Sequence, residues 1–201
     1  MLDTLMKHAK HFTNLDHPRE ASHVVHIDEN GHLFMTNAIT AVLIKNVSPE
    51  EPSRTITLDG KLSKVPVYDY KKFFNYETSE TLKLDVKEML LLTQALEAVK
   101  KVEGESPLGA FRFETEGDQY KIFYRGIEFT STYHLMDKKP DQVAFNIHFD
   151  VSLLTKAFKL LKDLGIQTCN MQFTGSTRPC YFSSDDDSIQ VSVLPCRTYK
   201  K

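Results

Sequence analysis

The residues of this 201-residue chain best equipped for chemistry are its eight histidines, its three cysteines, a run of aspartates and several rows of lysine. Six histidines (His8, His11, His17, His23, His26 and His32) fall within the first 32 residues. A zinc site needs donors at convergent spacing, such as HxxxH or HExxH. These histidines are instead scattered over a helical stretch, a loop and two strand-like stretches, so no metal is expected. Cys169, Cys180 and Cys196 form an odd set without CxxC spacing, which argues for ordinary thiols rather than a disulfide framework or a zinc site. Asp185-Asp186-Asp187 could hold a divalent cation, but a run flanked by serines between two strand-like stretches reads as a solvated hairpin tip. No GxSxG, P-loop or GxGxxG occurs, so neither an enzyme nor a cofactor is expected.

The lysines are more informative once placed on helices. Over residues 151–164, Leu153, Leu154, Ala157, Phe158, Leu161 and Leu164 form one apolar arc. Lys156, Lys159 and Lys162 recur every three residues on the opposite arc, so their amines point the same way. Asp150 is placed to cap this helix, and Gly165 follows its end. At the N-terminus, Leu2, Leu5, Met6, Ala9 and Phe12 make a second stripe, with Lys7, His8, Lys10 and His11 expected on its polar side. A third helix is expected over 86–102, with Met89, Leu92, Leu96 and Val99 inward and Asp85 as cap. Its outer face mixes Glu97 with Lys87, Lys100 and Lys101. Taken alone, each lysine row is a solvated face.

Between the helices the pattern turns to strands: 22–27 and 32–47 around Asp28-Glu29-Asn30-Gly31, then 110–116, 120–124 and 127–135, then 168–174, 179–183 and 188–194. A helix followed by several antiparallel strands, three times over, predicts an α+β fold with amphipathic helices on one face of antiparallel sheets. A formal net charge of −2 excludes coating of nucleic acid by bulk charge but allows local basic faces. No apolar stretch has the length of a membrane span and the first residues do not resemble a signal peptide, so a cytoplasmic protein with no membrane contact is expected.

Several motifs together resemble the bacterial DNA sliding clamp (the beta subunit of the replicative polymerase). Phe145-Asn146-Ile147, the helix at 151–161, the stretch 178–188 and Val193-Leu194-Pro195-Cys196-Arg197 are similar to the family's last half-domain, with its FN strand, leucine-rich helix, acidic hairpin and closing M-P-M-R. Val67-Tyr68-Asp69-Tyr70-Lys71-Lys72-Phe73 and the segment 81–96 resemble the F-P-D-Y interdomain junction and the opening of the next domain. Leu33–Leu43 is similar to the strand carrying T-D-G-H-R-L, with Asn37-Ala38-Ile39-Thr40 in place of D-G-H-R, and Tyr68 replaces the junction proline.

The resemblance implies a truncated N-terminal unit at 1–80, including the junction, and a complete clamp-like domain at 81–201. It implies a non-enzymatic processivity or recruitment factor in DNA replication or repair, with double-stranded DNA facing Lys7, Lys10, Lys156, Lys159 and Lys162. It also implies a pocket for short linear motifs of a DNA polymerase or other replication proteins, walled by Thr36, Ala38, Ile39, Lys72, Phe73, Leu194, Pro195, Cys196 and Arg197. Edge-to-edge assembly into a homo-oligomer is a further implication. A clamp-fold interaction module that does not encircle DNA is the alternative.

Overall fold

The computed structural model describes residues 2–74, 77–78, 80–103, 111–139, 142 and 144–196. Helix α1 (Leu2–Phe12) is followed by β1 (Val25–Ile27), β2 (Leu33–Thr36), β3 (Thr40–Ile44) and β4 (Arg54–Ile56). A short helix α2 (Lys71–Phe74) leads into β5 (Glu80–Asp85) and the long helix α3 (Val86–Glu103). Then come β6 (Phe111–Glu116), β7 (Gln119–Arg125), β8 (Thr130–Asp137) and β9 (Asn146–Phe149). Helix α4 (Val151–Asp163), β10 (Thr168–Phe173), β11 (Cys180–Ser183) and β12 (Ile189–Val193) complete the described chain.

Every strand pairing is antiparallel. Eight strands form one sheet in the order β4-β1-β2-β3-β12-β11-β10-β5, and four form a second, β8-β7-β6-β9. The larger sheet is nearly symmetric about its middle. β3 pairs with β12, and β4 lies against β1 where β5 lies against β10. The α+β plan is therefore present, but the stretch 32–47 read as one strand is two. It breaks at Asn37-Ala38-Ile39, where the Asn37 side chain reorganises the backbone into a turn.

Burial explains the strand patterns. β2 and β3 are buried on every residue, because α1 covers one face and the 68–74 segment covers the other. Their sequences (LFMT and TAVLI) are accordingly near-continuous and apolar or threonine. β7 has a single buried face and alternates Tyr120, Ile122 and Tyr124 inward with the less buried Gln119, Lys121, Phe123 and Arg125. The main core joins Leu5, Ala9 and Phe12 of α1 to the inner faces of α3, α4 and both sheets.

Candidate nucleic-acid interface and peptide pocket

The helical face depends on how α4 is held. Asp150 caps it by accepting from the Ser152 amide at 2.9 Å, and the Ile166 amide donates to Leu161 O at 3.0 Å across Gly165, whose φ is +82°. Leu154, Ala157, Phe158, Leu160 and Leu161 are fully buried, so the stripe includes Leu160 as well as the expected arc. That leaves Lys156 half-buried and Lys159 and Lys162 exposed. α4 lies between its neighbours. Lys100 at the end of α3 donates to Asp150 at 3.1 Å, and His8 of α1 donates from Nε2 to Asp163 Oδ2 at 3.0 Å.

His8 corrects one expectation: it is only 6% exposed, on the same side of α1 as Leu5, Ala9 and Phe12. Its Nδ1 is buried with no partner among the described residues. Lys7 and Lys10 are exposed as expected. Two adjoining clefts run along the helices. One of about 440 Å³ is lined by Lys7, Lys10, Lys159 and Asp163, the other of about 390 Å³ by Lys101, Glu97, Lys156 and Lys159, and both share His8 and His11.

The acids in these clefts are already engaged, Asp163 by His8 and Glu97 by Lys101 at 3.6 Å. Among the described residues no carboxylate pairs with Lys7, Lys10, Lys156, Lys159 or Lys162. The clefts thus gather four of the five expected lysines and add Lys101 and His11, while Lys162 lies beyond them on the last turn of α4. Burial, then the charges of Lys156 and Lys10, then His8 and Lys159, hold the His11 imidazole below its usual titration range. Among the described residues no three His, Cys, Asp or Glu side chains converge as a metal site would require.

The second site lies on the opposite face of β2–β3. Phe34 projects into an aromatic cluster from the junction, stacked with Tyr70 at 5.6 Å and Tyr68 at 6.1 Å and tilted against Phe73 at 5.5 Å. Tyr181 donates its hydroxyl proton to Phe73 O at 2.9 Å, which anchors α2 to β11. A cavity of about 210 Å³ opens beside this cluster, lined by Ala38, Ile39, Thr40, Phe73, Pro179 and Leu194 and floored by Ala41 and Ser192. A small neighbouring cleft shares Ala38 and Phe73 and adds Thr36, Tyr68 and Arg19.

Five of the nine expected pocket residues (Thr36, Ala38, Ile39, Phe73 and Leu194) therefore line one continuous surface. Pro195 and Cys196 do not line it. After Leu194 donates to Ile39 O at 2.9 Å, the chain turns so that the Cys196 amide donates to His148 O at 2.8 Å. Arg197 and the side chain of Lys72 lie outside the described residues. Thr40, Ala41, Pro179 and Ser192 were not anticipated. Ala41 and Ser192 meet because β3 and β12 pair in that register, and no local sequence signal reports this long-range pairing.

Comparison with known proteins narrows the fold. No protein-family model and no curated protein sequence matches the chain. The DNA polymerase sliding clamp from Bacillus subtilis superposes with a TM-score of 0.79 at 15% identity, over 98% of this chain and 62% of that one. The DNA polymerase III beta chain from Streptococcus pneumoniae TIGR4 gives 0.77 at 13% identity, over 98% and 63%. The sliding clamp from Pseudomonas aeruginosa, solved bound to griselimycin, gives 0.74 at 12% identity, again over 98% and 63%. This chain spans about three-fifths of the length of the chains it matches. At such identities the agreement lies in the backbone: helices α1, α3 and α4, each followed by three or four strands that pair antiparallel. By that architecture the chain has the bacterial sliding-clamp fold.

Proposed function

We propose that the chain is a non-enzymatic, clamp-like factor that holds double-stranded DNA against α1 and α4 and recruits replication or repair proteins through the pocket beside Phe73. It divides into a shorter unit at 1–80 and a clamp domain at 81–201, and it acts in the cytoplasm. No helix among the described residues is long and apolar enough to cross a membrane. The observation that carries the DNA reading is the pair of clefts gathering Lys7, Lys10, Lys156 and Lys159, with their two acids engaged by His8 and Lys101 rather than by these lysines. Such a lysine-lined surface suits phosphates, so binding should be sequence-independent and strongly salt-dependent.

The test replaces Lys156, Lys159 and Lys162 with Glu and follows a labelled duplex by fluorescence anisotropy over a salt series. Affinity should fall more than tenfold at low salt with the melting temperature nearly unchanged, because exposed charges contribute little to folding. A parent protein that binds no duplex at low salt would reject the reading. The interaction-module alternative is favoured by one observation: an apolar pocket lined by Ala38, Ile39, Phe73, Pro179 and Leu194 forms within a single chain. Peptide capture that persists in the charge-reversed variant would be its signature.

Assembly follows from the sheets. Among the described residues β8 pairs only with β7, which leaves its outer edge open. An open edge recruits another strand. We expect a symmetric homodimer joined through such edges, with light scattering as the check.

A further inference from the structure

We propose that His11 is a proton-linked phosphate contact: DNA bound in the helical clefts takes up a proton on this imidazole, so that low pH strengthens binding. The inference rests on the reading of the clefts as a DNA-binding surface.

The geometry comes first. His11 is half-buried at the end of α1 and lines both clefts, which otherwise share only His8 and Lys159. Its ring stands edge-on to His8, 6.3 Å between centroids. His8 is buried and committed to Asp163, so it cannot turn towards a ligand. Among the described residues the His11 ring has no hydrogen-bond partner, while its backbone carbonyl accepts from Asn37 Nδ2 at 3.2 Å. The charged groups around it come from three helices, namely Lys7 and Lys10 of α1, Lys156, Lys159 and Asp163 of α4, and Glu97 and Lys101 of α3. A cationic imidazole amid these lysines is disfavoured in the free protein, because burial and then the neighbouring lysines oppose its charge.

A phosphate entering the clefts reverses this balance. Its negative charge offsets the lysine field and offers an acceptor to an imidazolium N–H. The titration of His11 therefore moves upward on binding, and linkage requires affinity to follow proton occupancy. The sign is definite. The gain is fully present below the lowered free-state value and is lost as pH rises through the bound-state value. This places the window around the ordinary imidazole value of roughly 6.5. An upward move of half to one unit corresponds to about a threefold to tenfold change in affinity across the window.

The experiment measures duplex affinity of the full chain by anisotropy at constant ionic strength from about pH 5.5 to 8.5, a range that brackets imidazole titration. The parent, His11→Gln and His11→Lys are compared. His11→Gln should match the parent at the alkaline end and fail to gain affinity on acidification. His11→Lys should bind at the alkaline end as the parent binds at the acid end, and it keeps the test decisive if the Gln variant is poorly folded. Histidine NMR of the parent should show the His11 titration moving up when duplex is added. Parallel pH profiles for parent and His11→Gln, or an unmoved His11 titration, would overturn the proposal while leaving the DNA-binding surface intact. A parent that binds no duplex at any pH would overturn both.

Discussion

Asn37 and Ala38 show how much a short turn can carry. Asn37 Oδ1 accepts from the Ile39 amide at 3.0 Å, the Thr40 amide at 2.7 Å and the Thr40 hydroxyl at 3.0 Å, while Nδ2 reaches back to the end of α1. Asn37→Ala would strand these donors at the pocket wall and should cost about 1–3 kcal/mol in a denaturation experiment. Ala38 has φ +73°, a left-handed conformation that penalises a Cβ by roughly 1–2 kcal/mol. Ala38→Gly should therefore raise the melting temperature, unless the freer unfolded chain cancels the gain. The replacement of D-G-H-R is visible in the sequence alone, whereas the role of Asn37 as the turn's organiser is visible only in the structure.

His8 was misplaced for a related reason. Residue type suggested the polar side, whereas the spacing of Leu5, His8, Ala9 and Phe12 put it on the buried one. A titration at this scale concerns Asp28. Burial tends to raise its carboxyl, but hydrogen bonds from the Tyr70 hydroxyl and the His32 and Asn30 amides prevail and hold it below the usual range. Its stabilisation is present above the unfolded carboxylate value of roughly 3.9 and is lost as pH falls through the folded one. Tyr70→Phe should flatten the acid limb of a stability-versus-pH curve.

The helices were legible because their apolar periodicity is long and their caps are explicit. The helix expected over 151–164 is observed as Val151–Asp163, and that over 86–102 as Val86–Glu103. Leu161→Ala on α4 should cost about 2–5 kcal/mol, since the side chain is fully buried, whereas Lys159→Ala should leave stability nearly unchanged. That contrast, read by chemical denaturation, separates the two arcs of one helix. β4 escaped notice because three residues are too few to show a period. Gly31 was visible as a turn residue, but its closer constraint was not. With φ +70°, a Cβ there would lie 2.4 Å from the carbonyl carbon of Ser48 and 2.5 Å from the Pro49 nitrogen, so Gly31→Ala must displace the 48–49 backbone.

At the scale of the molecule, β3 pairs with β12 at the middle of the eight-stranded sheet, and this seam would join the two units we propose at 1–80 and 81–201. The strand patterns predicted that sheets exist and gave no register between units, because register is set where both faces are already buried. The dimer expected through β8 should leave the β3–β12 seam untouched, so lysine substitutions along β8 should yield a monomer that unfolds as the parent does.

That seam has a consequence for biosynthesis. Residues 40–44 pair with β2 on one edge and with residues 189–193 on the other, so residues 189–193 must leave the ribosome before that second edge of β3 is covered. Until then a strand of five buried residues, TAVLI, stands exposed at an open edge on a nascent chain. Pairing over so long a loop is also slow. Of all the molecule's surfaces, the one that becomes its centre is the one most in need of chaperone protection while the protein is being made.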